Sequence, residues 1–341
     1  MRLAYATTGE GPPLVKAANW LSHLEYDWQS PVWRSWLSEL SRDHTLVRYD
    51  ERGCGLSDWE VRDLSFEAWV RDLETVVDAV GLERFPLLGS SQGAPIAIAY
   101  AVRHPERVSH LVLHGSYARG WLKRNDTPRH REEAETMIKL AELGWGKEND
   151  AFRQFFTTQF IPDGTPEQHR WFNELERVST SPEIAARFFR VMNEIDVTAI
   201  AAKVSCPTLV LHSRGEARVP FDEGRRVAAL IPGARFVPLE SRNHLVLEHE
   251  PAWKSWFEEV RSFLPSGPAG GAAFAALTDR DRELVELVAQ GMDNAQCGAR
   301  LGLSDKTVRN RITALYAKLE VENRARLIVL AREAGFGRAR P

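Results

Sequence analysis

The apolar positions of this chain follow two different rhythms, and the change falls near residue 264. Up to that point, short β-rich apolar runs alternate with longer segments of helical spacing. Pro13–Ala18, Thr45–Tyr49, Pro86–Gly89, Val108–His114, Thr208–His212 and Arg235–Leu239 read as strands. Pro31–Leu40, Phe66–Val80, Ala94–Val102, Asp222–Leu230 and Pro251–Phe263 read as the helices between them. Such alternation predicts an α/β unit, a parallel sheet covered on both faces. Arg119–Ala202 breaks the rhythm with a largely helical stretch rich in Trp and Phe. It reads as an insertion laid over the sheet.

From Leu277 onward every pattern is helical. Thr278, with Asp281 three residues on, predicts a capping box opening Asp279–Ala289, which Gly291 ends. Asn294–Leu301 stops at Gly302, Ser304 caps Asp305–Leu319, and Asn323 caps Arg324–Ala334, closed by Gly335. The second and third helices, joined by Gly302-Leu303-Ser304, form a helix-turn-helix. On the third, Val308, Ile312, Leu315 and Leu319 make an inward stripe, with Lys306, Arg309, Asn310 and Thr313 opposite and Thr307 and Arg311 flanking. Cationic, amide and hydroxyl groups outside an apolar stripe suit the major groove of double-stranded DNA, with Lys306 and the helix N-terminus on a phosphate.

The organisation expected is therefore a body over residues 1–264, a spacer over 265–276 and a four-helix domain over 277–341. The spacer, PSGPAGGAAFAA, is small-residue-rich and would reach roughly 20 Å on average as a flexible coil. Net charge is −3, but residues 277–341 hold 12 Lys and Arg against 9 Asp and Glu, while the remainder holds 32 against 38. That asymmetry directs nucleic acid to the tail. No apolar run nears the ~20 residues of a membrane span, and the N-terminus lacks a secretion signal, so a cytoplasmic protein without membrane partners is expected. Cys54, Cys206 and Cys297 are far apart and show no metal-ligand spacing, so no metal or cofactor is expected.

One motif in the body carries chemistry. Gly89-Ser90-Ser91-Gln92-Gly93 follows a strand and opens a helix, the context of a nucleophile elbow with Ser91 at its tip. A nucleophilic serine needs a base and an orienting acid, in the chain order Ser, acid, His. Glu216 and His244 sit on loops after the last two strands, at the sheet edge where Ser91 lies. Asp222 and Glu240 are rival acids, the first starting a helix, the second too close to its strand.

With these residues in place, residues 1–264 resemble the α/β-hydrolase family. Asp50-Glu51-Arg52-Gly53-Cys54-Gly55-Leu56-Ser57 also matches that family's D-x-R-G-x-G-x-S turn. The resemblance implies that Arg119–Ala202 is a helical cap, and that the backbone N–H groups of Gln92 and Trp20 form an oxyanion hole. It departs at Ala18-Asn19-Trp20, where the family has His-Gly, and a bulky Trp narrows the mouth. Ser22, His23, Glu25 and Tyr26 offer polar contacts beside it. The tail resembles the LuxR/GerE-type DNA-binding domain, matching at Leu277, Thr278, Arg280, Gly291, Asn294, Leu301, Ser304, Thr307, Val308, Ile312, Lys318, Leu319, Val321 and Arg324. Asp281, Cys297, Arg309 and Arg311 depart from that family's usual residues. This resemblance implies pairing of two copies through the last helix on a two-fold DNA site, hence a homodimer.

Two functions stay open at this stage. One is a transcription regulator whose hydrolase-like body binds or cleaves a small apolar ester, lactone or amide. The other is a working carboxylic-ester hydrolase whose tail tethers or oligomerises it.

Overall fold

Strand and helix patterns assemble into one seven-stranded sheet, in the order β1-β3-β2-β4-β5-β6-β7. Its strands are β1 (Tyr5–Thr8), β2 (Pro13–Lys16), β3 (Thr45–Tyr49), β4 (Phe85–Ser90), β5 (Val108–His114), β6 (Thr208–Ser213) and β7 (Arg235–Leu239). The computed structural model describes residues 1–147, 150–264, 274, 277–319, 321–333 and 336–337. The chain divides into two compact units, Met1–Leu264 and Pro265–Pro341.

All strand pairs are parallel except β1 with β3. The sequence pattern did not reveal β1. Its four residues, YATT, alternate between exposed and half-buried and carry no apolar run. As an antiparallel edge strand it needs only one partner. The inner strands β4 and β6 are buried at every residue, the mark of a sheet covered on both faces.

The covering helices are α1 (Trp33–Ser41), α2 (Phe66–Val80), α3 (Gly93–Arg103), α10 (Phe221–Leu230) and α11 (Pro251–Phe263). Between β5 and β6 the chain runs through α4 (Trp121–Arg124), α5 (Pro128–Gly144), α6 (Asp150–Phe160), α7 (Pro166–Ser179), α8 (Pro182–Glu194) and α9 (Thr198–Ala201). This helical insertion is tied to the body by hydrogen bonds and by ring stacking. Thr180 Oγ1 donates to the Gly53 carbonyl at 2.7 Å and the Gly55 N–H to that of Ser179 at 2.8 Å. Phe188 stacks on Trp69 with centroids 5.0 Å apart.

The second unit holds α12 (Asp279–Ala289), α13 (Asn294–Leu301), α14 (Asp305–Lys318) and α15 (Arg324–Glu333). They bury a separate core of Leu284, Val288, Cys297, Val308, Ile312, Leu315 and Leu327. Residues 265–273 and 275–276 of the expected spacer lie outside the described residues, as does Gly335. Phe274 does not behave as spacer. It is buried in the second core, its ring 4.9 Å from that of Phe336, because an aromatic side chain gains more from burial than from a solvated link. Thr278 caps α12 by accepting the Asp281 N–H at 3.2 Å, but the Asp281 carboxylate reaches Lys318 Nζ at 2.8 Å. The reciprocal capping box forms one helix later, between Asp293 and Gln296.

Among the described residues no helix is long and apolar enough to cross a membrane.

Candidate functional site

Ser91 is the one non-glycine residue with positive φ (52°) among the described residues. A side chain held there is strained and marks a turn built for a purpose. The strain is imposed by crowding on both sides. A Cβ on Gly89 would lie 2.8 Å from Ala94 Cα, and one on Gly93 2.7 Å from the Ala18 carbonyl. Only glycine allows strand, turn and α3 to approach this closely. The Ser91 N–H is anchored on the His114 carbonyl at 2.8 Å.

The loops after β6 and β7 bring Glu216 and His244 together. Nδ1 of His244 lies 2.9 Å from Glu216 Oε1, and both side chains are fully buried. The same oxygen accepts the Val219 N–H at 2.9 Å. Burial alone would raise the Glu216 pKa. The charge of His244 and hydrogen bonds from His212 and His244 outweigh it and hold the carboxyl at about 2. Asp222 and Glu240 take no part. They pair with Arg225 at 3.3 Å and Arg214 at 2.6 Å on the surface.

His244 is fixed from its backbone as well. Its N–H donates to the Phe160 carbonyl at 2.8 Å, at the end of α6, and its carbonyl accepts from His114 Nε2 at 2.9 Å. His114 Nδ1 accepts the Trp256 indole N–H at 3.1 Å, so both ring nitrogens have set roles. Desolvation, then the charge of His244, lowers the His114 pKa to about 3, keeping the ring neutral. Sequence reasoning missed this residue, since a histidine ending a strand carries no pattern of its own. Gly115, at φ 54°, leaves room for the His244 ring, which a Cβ there would approach to 2.7 Å. The other ring nitrogen, Nε2, is buried and has no hydrogen-bond partner among the described residues, the Ser91 hydroxyl included. Such bonds are often open in ligand-free sites.

The two expected oxyanion donors differ in state. The Gln92 N–H stands where α3 begins. The Trp20 N–H is occupied: it donates to Oε1 of the Gln92 side chain at 3.1 Å. Gln92 Nε2 in turn donates to Glu51 Oε1 at 2.8 Å. Burial pushes the Glu51 carboxyl up to about 8, despite the Gln92 hydrogen bond that favours its ionised form. Trp20 itself is buried and anchors the cap, stacked on Trp145 at 4.8 Å and on Phe188 at 5.8 Å.

The turn from Asp50 to Ser57 supports this region. Asp50 Oδ2 accepts the N–H groups of Leu24 (3.0 Å) and Leu56 (2.9 Å), linking the turn to the segment after Trp20. Arg52 forks onto Asp72 at 2.7 and 2.5 Å. These charges are structural.

A cavity of about 690 Å³ opens above Ser91 beneath the cap. Trp20, Gln92, Tyr117, Phe160, Phe189 and Met192 are in its wall. Of the polar residues expected near Trp20, none of Ser22, His23, Glu25 or Tyr26 lines it; Tyr26 stacks on Trp171 at 3.7 Å instead. No group of three or more metal-binding side chains clusters among the described residues.

In the second unit, Lys306, Arg309, Asn310 and Thr313 are exposed along α14, opposite the buried Val308, Ile312 and Leu315. Arg311 is half-buried. Thr307 is half-buried too, and its hydroxyl lies 2.8 Å from the capping hydroxyl of Ser304. Arg309 pairs with Asp305 at 2.7 Å, which holds its guanidinium against the first turn.

The sheet, the strained serine turn and the helix-turn-helix together define a two-domain protein, hydrolase fold followed by DNA-binding bundle. Family models agree. The model described as alpha/beta hydrolase fold matches residues 29–160, and that of the bacterial regulatory proteins of the luxR family matches 275–331. The chain thus carries an alpha/beta hydrolase domain and a C-terminal LuxR-family helix-turn-helix domain, which implies DNA binding. It is a regulator with a hydrolase-like domain.

Relatives match the body. The AB hydrolase superfamily protein YisY of Bacillus subtilis is 29% identical over 244 residues, 69% of this chain and 86% of its own length. The pimeloyl-[acyl-carrier protein] methyl ester esterase of Nitrosomonas europaea is 28% identical over 236 residues, 68% of this chain and 88% of its own. Among solved structures, a thermophilic esterase from Thermogutta terrifontis superposes with a TM-score of 0.62 at 26% identity, covering 76% of this chain and 93% of that one.

Proposed function

We propose that this protein is a DNA-binding transcriptional regulator whose hydrolase-like unit binds a small ester, lactone or amide and cleaves it at Ser91. The observation that carries the reading is the His244–Glu216 pair at 2.9 Å, beside the strained Ser91 at the floor of the cavity. In this reading Ser91 Oγ attacks the acyl carbon and its proton passes to Nε2 of His244. Glu216 holds the Nδ1–H tautomer and stabilises the imidazolium. As the tetrahedral oxyanion collapses, the bond to the leaving group breaks and the leaving group takes the proton from His244. Water, deprotonated by the same nitrogen, then releases the acid and restores Ser91. The second unit reads DNA through Lys306, Arg309, Asn310 and Arg311, with Thr307 and Thr313 at the edge of the contact, in a cytoplasmic homodimer paired through α15.

The test is labelling of the full chain with a fluorophosphonate, followed by a mass spectrum. An adduct at Ser91 that Ser91→Ala abolishes supports cleavage. Selection from random duplexes followed by gel shift tests the regulator, and no enriched sequence would sink it.

A second reading is a sensor that binds without cleaving. It is favoured by the Gln92 side chain on the Trp20 N–H. Here Ser91 and His244 serve as hydrogen-bond partners, and thermal stabilisation by ligand would occur without turnover or adduct.

A further inference from the structure

Three arginines line the cavity; Arg129 pairs with Glu133 at 2.9 Å, and the other two, Arg218 and Arg124, take no part in the chemistry at Ser91. Arg218 follows Glu216 on the same loop, and Arg124 ends α4 at the base of the cap; both are half-buried and both line the cavity. Their neighbours show how this protein normally treats a cation. Arg119 pairs with Glu223 at 2.6 Å and Lys123 with Glu194 at 2.7 Å. Arg124 and Arg218 have no carboxylate within 4 Å among the described residues.

Their contacts hold them in place without neutralising them. The Arg218 guanidinium lies over the rings of Phe160 and Phe189, at 5.4 and 5.8 Å, and makes one long hydrogen bond to Gln159 Oε1 at 3.4 Å. Arg124 lies over Tyr117 at 5.3 Å and donates through Nε to the Arg119 carbonyl at 2.8 Å. Aromatic faces immobilise a guanidinium and leave its hydrogen-bonding edge available. Desolvation pulls both arginine pKa values down. The acids nearest in sequence are engaged elsewhere, Glu216 with His244 at 2.9 Å and Asp126 with Arg131 at 2.6 Å. Glu132 and Glu133 also line the cavity, but Glu132 is exposed and Glu133 is taken by Arg129 at 2.9 Å. Leaving two partly desolvated cations unpaired is costly unless a bound anion completes the site.

We infer that the ligand carries a free carboxylate, which docks on Arg218 and Arg124 while its acyl carbon lies on Ser91. The ligand class is therefore a half-ester or half-amide of a dicarboxylic acid, or an acylated amino acid, rather than a wholly apolar ester. The inference rests on the proposed ligand-binding role of this cavity, but not on turnover. A planar fork against a carboxylate gives paired charge-assisted hydrogen bonds, and the aromatic wall accommodates the chain between the two ends.

The experiment uses the full chain and two probes of matched length, mono-p-nitrophenyl adipate and p-nitrophenyl hexanoate. The wild type is expected to prefer the adipate by about tenfold or more in kcat/KM, equivalent to at least about 1.4 kcal/mol. Arg218→Met and Arg124→Met are each expected to bring that ratio toward one, chiefly through KM, while Arg218→Lys retains part of it. A second arm measures thermal stabilisation by adipate itself in wild type and in Arg218→Met. Preference for the hexanoate, or a ratio untouched by both Met variants, overturns the inference. If neither ester turns over, cleavage fails. Adipate stabilisation lost in Arg218→Met then still upholds the anion site, and no stabilisation of the wild type overturns it.

Discussion

The main-chain N–H of Trp20 donates to the side-chain oxygen of Gln92, 3.1 Å away. An oxyanion on Ser91 would compete with that oxygen for the same donor. Removing the side chain frees the donor, and one neutral hydrogen bond is worth about 1 kcal/mol. Gln92→Ala is expected to speed fluorophosphonate labelling of Ser91 by roughly three- to tenfold. Slower labelling would mean that Gln92 positions the Trp20 loop rather than blocking it.

Glu216 is held at about 2, so it stays ionised through the working pH range. Its lowered pKa contributes stability above the ordinary glutamate value, and this is lost as pH falls toward 2. The acid limb of a pH–rate profile measured above about pH 4 should accordingly not come from Glu216. Glu216→Gln preserves size but cannot stabilise the imidazolium. A fall of about 10³- to 10⁴-fold in kcat is expected from stopped assays with p-nitrophenyl esters.

Glu51 gives the opposite sign. Its folded pKa is raised to about 8, so between about 4.5 and 8 the folded state holds a proton the unfolded chain has released, and stability falls as pH rises through that window. Glu51→Gln removes the penalty and can still accept from Gln92 Nε2. The difference in Tm between variant and wild type, followed by calorimetry, should grow from pH 5 to pH 8. A constant difference would show that Glu51 does not change ionisation in that range.

On α14, exposure separates roles. Lys306→Ala should weaken DNA binding about equally on all sequences and reduce the salt slope by about one. Asn310→Ala should relax preference at one base pair, by about 1–3 kcal/mol. Thr307→Ala should act chiefly on stability, because its hydroxyl is engaged with Ser304. Anisotropy titrations across salt and thermal melts distinguish the three.

Much of the architecture was legible because it depends on local chemistry. The buried runs of β4 and β6, the G-x-S-x-G turn, and the caps Ser304 and Asn323 each act over a few residues. The edge strand β1 was not legible, since it owes its form to pairing with β3. Phe274 looked like spacer because its burial depends on Phe336, far along the chain.

The sequence by itself determined the two fold classes, the order Ser91, Glu216, His244 and the residues facing outward from α14, because periodicity and turn chemistry are properties of neighbouring residues. Tertiary structure alone decided that His114 and Gly115 seat the His244 ring, and that Gln92 occupies the Trp20 donor. It also decided that Arg124 and Arg218 share one cavity with no carboxylate within 4 Å among the described residues. These relations join residues up to about 130 positions apart, and only the packing of cap and sheet brings such groups within reach of one another.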